Sequence, residues 1–197
     1  MALPSVAQAQ LLATTLHSVV ARYQPRSLAI LGVAGGNGLD RIDSAIVHRL
    51  IALDLNGDYL AVCAARHAAS FSEFQPIRHD LSRERPAIAP VECIFAGLVL
   101  EYLRLDVFYS YLPSLLIDGG IIGTLLQLPS DYLPEVSISP FASLTQLRPA
   151  FAFVNPTHLH DSLSALGFSR LSHERYDLDT GKSFQLALYQ LTKRRYE

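Results

Sequence analysis

Apolar positions along the chain follow two alternating rhythms, short unbroken runs and stretches with helical spacing. Leu12, Leu16, Val19, Val20 and Tyr23 recur at helical intervals across residues 5–23, and Pro25 ends that stretch. Residues 27–31 then form a continuous apolar run, the pattern of a strand covered on both faces. A glycine-rich turn from Gly32 to Gly38 leads to Leu39, Ile42, Ile46 and Leu50, spaced as one face of a helix. The alternation continues with a predicted strand at 51–55, a helix over 58–67 with Leu60 and Cys63 inward, and a strand at 74–78. A fourth strand begins at Val91 in the run 91–100, a helix is predicted over roughly 104–117, and Gly119-Gly120 turns the chain into a fifth strand at 121–126.

Residues 128–155 break the alternation with Pro129, Pro134, Pro140 and Pro149, and a connection of that length reads as a lid or binding loop. Asn155-Pro156 supplies an N-cap and a first-turn proline, Leu159, Leu163 and Leu166 share a face, and Gly167 closes the helix. Residues 168–178 and 184–191 are strand-like around Asp179-Thr180-Gly181-Lys182, which is hairpin chemistry. Repeated strand–helix units of this length predict a three-layer α/β sandwich. Its sheet is mostly parallel with right-handed crossovers, and the C-terminal hairpin adds an antiparallel strand. The predicted organisation is a helical arm over 1–24 followed by one domain over 25–197 that carries the 128–155 insert.

Composition narrows the function. Half of the 197 residues are hydrophobic and 17% are charged, enough apolar material for one core and too little charge for a disordered chain. Sixteen basic against eighteen acidic residues give a net charge of −2, so no surface for nucleic acid or anionic lipid is announced. Lys182 and Lys193 are the lysines, both near the C-terminus, so Schiff-base chemistry and a phosphate-binding GxxxxGK[ST] loop find no candidate. Cys63 and Cys93 sit in apolar runs and suggest neither a disulfide framework nor a metal site, which fits a reducing cytoplasm. The N-terminal stretch lacks a signal-peptide pattern, and the apolar stretch 112–128 is interrupted by Asp118 and two glycines, so neither export nor a membrane span is expected.

In parallel sheets of this kind ligands bind beyond the carboxyl ends of the strands, where strand order reverses. The first strand ends in Gly32-Val33-Ala34-Gly35-Gly36-Asn37-Gly38, small residues that let a ligand approach the backbone. The dinucleotide pattern GxGxxG fails here, whereas a GxGxG spacing fits through Gly32, Ala34 as a one-methyl substitute, and Gly36. Asp54 ends the second strand about twenty residues on, either as an acceptor for ribose hydroxyls or as a cap on the next helix. Asp80 follows the third strand, either facing a purine amine or solvated in a turn.

Together these residues resemble the class I S-adenosylmethionine-dependent methyltransferases, Rossmann-like proteins with a seven-stranded sheet whose last strand is antiparallel. The resemblance runs from about Ser27 to the closing hairpin. It implies that Gly32, Ala34, Gly36, Asn37 and Gly38 lie against the methionine part of the cofactor and that Asp54 holds the ribose hydroxyls. It further implies that Asp80 contacts the adenine amine between Leu55 and Leu81, and that Gly97, within 92–102, lies beside cofactor and substrate. Two positions depart from the family pattern: Ile30 stands where an acidic residue is usual, and Ala34 replaces the second glycine. Either change weakens the cofactor site or marks a subfamily that holds the methionine moiety differently.

Methyl transfer from a sulfonium needs an in-line nucleophile, exclusion of water and sometimes a base. Glu101 and Tyr102, just past the fourth strand, stand where an acceptor would meet the methyl group. Glu101 either orients the acceptor and removes its proton or anchors the next helix. Tyr132 offers a closing aromatic in the insert. His158 and His160 are candidate bases or solvated helix-start residues, and their two-residue spacing argues against a shared metal. Ala96-Gly97-Leu98-Val99 stands where the amino-methyltransferase signature would be, which with the charge balance argues against nucleic-acid bases as substrates. The expected function is methylation of a small-molecule acceptor with S-adenosylhomocysteine as product, without metal, nucleic-acid or membrane partners, and with homodimer formation left open. The alternatives are a non-catalytic cofactor-binding or interaction protein with the same fold, and an NAD(P)-dependent oxidoreductase. Lys193-Arg194-Arg195 reads as a solvated terminal charge run.

Overall fold

The apolar runs become β1 (Ser27–Leu31), β2 (Arg49–Asp54), β3 (Glu73–Arg78), β4 (Val91–Gly97) and β5 (Leu116–Gln127), and the hairpin supplies β6 (Phe168–Asp177) and β7 (Ser183–Leu191). This is a computed structural model; it describes residues 4–130 and 151–192, with side chains from residue 7 onward. One seven-stranded sheet forms in the order β3-β2-β1-β4-β5-β7-β6. Strands β3 to β5 pair in parallel, and β7 enters antiparallel between β5 and β6. The chain leaves β1 toward β2 and β3 on one side and returns to β4 on the other, so strand order reverses between β1 and β4.

Alternation along each strand divides the core in two. Leu28 and Ile30 of β1 face one layer with Leu50, Phe95 and the helices α1 (Pro4–Tyr23) and α2 (Gly57–His67), which contribute Leu16, Val19, Leu60 and Cys63. Ala29 and Leu31 face the other with Ile51, Ile94 and Tyr189, beneath α3 (Leu105–Tyr111) and α4 (Pro156–Ala165), which contribute Phe108, Leu159 and Leu163. Side chains as fully buried as Leu28, Leu31 and Leu50 each contribute about 2 kcal/mol by leaving water. The predicted α4 limits hold in detail: Asn155 Oδ1 accepts from Thr157 N and His158 N, and Gly167 leaves the helix at φ +87°. Cys63 and Cys93 are buried and free.

The helix expected on Leu39, Ile42, Ile46 and Leu50 does not form. One 3₁₀ turn, Leu39–Arg41, is followed by a turn in which Asp43 Oδ1 accepts from Ala45 N, and Leu50 belongs to β2. Asp43 offers the backbone a local alternative to a helix. The space beside the glycine turn is taken by α1 instead, where Asn37 Nδ2 donates to Ala9 O and His17 Nδ1 lies 2.9 Å from Arg41 O. The helix expected over 104–117 also ends early, at Tyr111. Pro113 falls in a 3₁₀ turn, and Gly119-Gly120 lies inside β5, where register with β4 shifts between Val91 and Cys93. A glycine at φ +78° within a strand is the ordinary device for such a bulge. Strand β4 stops at Gly97, short of the run 91–100, and Leu100–Tyr102 forms a 3₁₀ turn. Tyr132, most of the 128–155 insert and Lys193-Arg194-Arg195 lie outside the described residues.

The packing of α1 on the glycine turn gives a first test. Gly38 has φ +86°, and a Cβ there would stand 2.8 Å from the Ala13 Cα, so both backbone conformation and space exclude a side chain. Gly38→Ala is expected to cost about 3 kcal/mol in urea unfolding, combining left-handed strain with overpacking. A loss under about 0.5 kcal/mol would show that α1 is not seated there.

Candidate functional site

A cavity of about 750 Å³ opens across the carboxyl ends of β1 to β5. Gly32 and Ala34 line it after β1, Asp54 to Tyr59 after β2, and Arg78 to Ser82 after β3. Gly97 to Val99 and Glu101 to Leu103 follow β4, Gln127 closes β5, and Gln8, Leu12 and Phe151 complete the wall.

Local hydrogen bonding sets the shape of this end of the sheet. The N–H groups of Gly32 and Val33 both donate to Leu53 O, folding the turn back over β2. Gly32 has φ +69°, and a Cβ would meet Val99 Cγ2 at 2.8 Å. Ala34 is held at φ +47° although it is not glycine, a conformation costing about 1 kcal/mol. Its N–H donates to Asp54 Oδ2 at 2.8 Å, while Asp54 Oδ1 accepts from Asn56 N at 2.8 Å. Each carboxylate oxygen retains acceptor capacity for a further donor. Asn56 caps α2 by accepting from Asp58 N and Tyr59 N.

Of the residues singled out in the sequence, Gly32, Ala34, Asp54, Leu55, Asp80, Leu81, Gly97, Glu101 and Tyr102 come together on this cavity. Gly36, Asn37 and Gly38 do not line it: Gly36 packs on His67 and Cys63, Asn37 binds the α1 backbone, and Gly38 rests on Ala13. With no α-helix after the turn, no helix N-terminus follows β1 at this end of the sheet. Gly97 is required for packing, since a Cβ would meet Leu12 Cδ2 at 2.5 Å. Asp80 shares its carboxylate between Ser82 N and the exposed Arg83 guanidinium. Leu55 is 62% exposed at the rim. His158 is exposed and is not a lining residue, and His160 stacks against Tyr189.

Glu101 carries the most unusual electrostatics. It is 2% exposed; Oε1 accepts from Gln127 N at 2.8 Å, and its own carbonyl accepts from Ala152 N. Oε2 is buried without a hydrogen-bond partner. Burial pushes the carboxyl up to about 7, against a weaker downward pull from backbone N–H groups. Beside it, Tyr102 meets Phe151 edge to face at 5.5 Å, and Phe151 meets Phe153 at 5.0 Å. Burial, and then the neighbouring Glu101 charge, push the Tyr102 hydroxyl up to about 12.

Sequence reasoning missed Gln8, Leu12, Gln127 and Lys182. Gln8 and Leu12 are four apart and share one face of α1, and Gln127 ends a strand on the ligand side, so both signals were in the spacing. Lys182, set aside for its position near the C-terminus, is buried with Nζ donating to Gln127 Oε1 at 3.2 Å, and burial lowers its pKa. Among the described residues, no three His, Cys, Asp or Glu side chains gather as a metal site, and no helix is long and apolar enough to cross a membrane.

No protein-family model and no curated protein sequence matches the chain. Solved structures match its fold. The N-methyltransferase NodS from Bradyrhizobium japonicum, in complex with S-adenosylhomocysteine, superposes with a TM-score of 0.66 at 14% identity, covering 91% of this chain and 87% of that one. The 1,6-didemethyltoxoflavin-N1-methyltransferase of Burkholderia thailandensis, with S-adenosylhomocysteine bound, gives 0.68 at 15% identity over 95% and 79%. The [4+2]-cyclase SpnF gives 0.68 at 12% identity over 91% and 81%. The chain therefore has the Rossmann-like fold of the class I S-adenosylmethionine-dependent methyltransferases, a fold shared with a cyclase.

Glu101 predicts a pH-dependent stability. Its folded pKa, about 7, lies above the ordinary 4.5, so its favourable contribution is complete below about 4.5 and is lost as pH rises through 7. Glu101→Gln stays neutral throughout. It should match wild type near pH 4.5 and exceed it by up to about 3 kcal/mol near pH 8 in denaturant unfolding. Parallel curves for the two proteins would show that Glu101 titrates normally.

Proposed function

We propose that the protein transfers a methyl group from S-adenosylmethionine to a small acceptor bound beside Glu101 and Tyr102. The observation that carries this reading is the cavity at the strand-order reversal, with small residues after β1 and a carboxylate after both β2 and β3. Its volume suits a cofactor with a small substrate. The N-methyltransferases with bound S-adenosylhomocysteine share the fold and support the choice of cofactor.

The residues present fit that cofactor. Gly32 and Ala34 offer a close backbone approach, Asp54 has acceptor capacity for ribose hydroxyls, and Asp80 can accept from the adenine amine between Leu55 and Leu81. When bound, the cofactor supplies an electrophilic methyl group on a sulfonium. The chain's own contribution is placement and water exclusion: Tyr102 and Phe151 wall the acceptor side, and Glu101, which lines the same cavity, is the candidate to orient the acceptor or take a proton. Gln127 N fixes the carboxylate through Oε1. An NAD(P)-dependent reaction fits less well, because a pyrophosphate would lack the helix N-terminus it uses after the first strand. The same missing helix, together with Ile30, favours as second reading a protein that binds the cofactor without transferring its methyl group.

Calorimetric titration with S-adenosylmethionine and S-adenosylhomocysteine tests the proposal. Wild type should bind in the micromolar range, and Asp54→Ala, checked for folding by circular dichroism, should bind at least about tenfold more weakly. A folded wild type that binds neither compound overturns the reading.

A further inference from the structure

The ionisable side chains that line the cavity are unevenly placed. Asp54, Asp58, Arg78, His79 and Asp80 all lie at or after the ends of β2 and β3. Over β1 and the end of β4 the described lining residues are Gln8, Leu12, Gly32, Ala34, Gly97 and Leu98, and no side chain among these carries a charge. Glu101, further along the turn after β4, belongs to the acceptor wall with Tyr102 and Phe151, and its Oε1 is taken by Gln127 N. Gln8 joins the neutral stretch through α1. Leu12, four residues on, fills the place that a Cβ at Gly97 would occupy, and the same helix face brings Gln8 to the cavity.

Strand order turns this asymmetry into a statement about the ligand. With ribose hydroxyls on Asp54 and the adenine amine at Asp80, the nucleoside lies over β2 and β3, and its 5′ chain runs the opposite way, over β1 and β4. In S-adenosylhomocysteine that chain ends in an ammonium and a carboxylate. A charged group that leaves water gains net affinity chiefly from a charged partner, whereas neutral amides and carbonyls replace the lost water hydrogen bonds about evenly. The amide of Gln8 can exchange a hydrogen bond with either end of the zwitterion and neutralises neither.

We infer that Gln8 sets the ligand selectivity of the cavity: the nucleoside is held by charged side chains and the 5′ chain by neutral ones, so an adenine nucleoside with an uncharged 5′-alkylthio chain binds as well as one that ends in an amino acid. The inference rests on the methyltransferase reading and adds a class of ligand to it. Such a nucleoside carries no sulfonium and no transferable methyl group, so it occupies the cofactor's place and inhibits transfer. A carboxylate at position 8 would reverse the selectivity by giving the ammonium a charged partner.

The test is calorimetric titration of the full chain with S-adenosylhomocysteine and with 5′-methylthioadenosine at neutral pH. Wild type should bind the two within about fivefold of each other, and Gln8→Glu should shift the ratio about tenfold toward S-adenosylhomocysteine. Glutamate is a good helix former and sits well near a helix N-terminus, so the variant keeps α1, which circular dichroism checks. A wild type that prefers S-adenosylhomocysteine by more than about fivefold, or a folded Gln8→Glu whose ratio is unchanged, overturns the inference and leaves the methyltransferase reading standing. Binding of neither compound to folded wild type overturns that reading and this inference with it.

Discussion

One carboxylate ties together the end of the sheet on which the site is built. Asp54 receives the Ala34 N–H on one oxygen and the Asn56 N–H on the other, so the turn after β1 and the entry to α2 share a single anchor. Without that bond Ala34 would have little reason to stay in the left-handed region, and the floor of the cavity would lose its shape. A carboxylate at this point therefore does two things at once. It is placed by the backbone it holds, which fixes its direction before a ligand arrives and reduces the ordering cost of binding.

The opposite wall is organised on another principle. Glu101, Gln127 and Lys182 form a short polar run inside the protein, with Gln127 giving its N–H to the carboxylate and its side-chain oxygen to the ammonium. Both ends are shifted by burial toward their neutral forms, the acid upward and the base downward. Replacing such a buried polar run by apolar side chains of similar volume is often neutral or stabilising, so the run is a cost that packing elsewhere must offset.

How much of this could be read in advance depended on the range of the interaction. The alternation of strands and helices, the Asn155-Pro156 start and Gly167 end of α4, and the closing hairpin are local properties of backbone and period, and they emerge as expected. That Asp54, Asp80 and Glu101 line the cavity is legible because crevices in parallel sheets open beyond the carboxyl ends of the strands. The helix after the glycine turn was not, because Leu39, Ile42 and Leu50 do have helical spacing and are buried; they are buried in a turn and a strand instead. Periodicity records which positions face the core and leaves open which neighbour covers them. Lys182 escaped for a similar reason: its place beside Gln127 depends on pairing β7 with β5 across fifty-five residues.

That missing helix explains why α1 belongs to the site. Its Leu11, Leu16, Val19 and Val20 join the same apolar layer as β1 and β4, its backbone receives Asn37, and Leu12 fills the space that the absence of a side chain at Gly97 leaves. Gln8, one turn earlier on the same face, lines the cavity. In this sheet a helix following the glycine turn would direct free N–H groups at the end of a ligand lying over β1. Here that end of the cavity is bordered by a side chain from α1. The segment that reads as an arm is thus a wall of the pocket, and a cofactor held there would meet a neutral amide of Gln8 in place of a helix dipole.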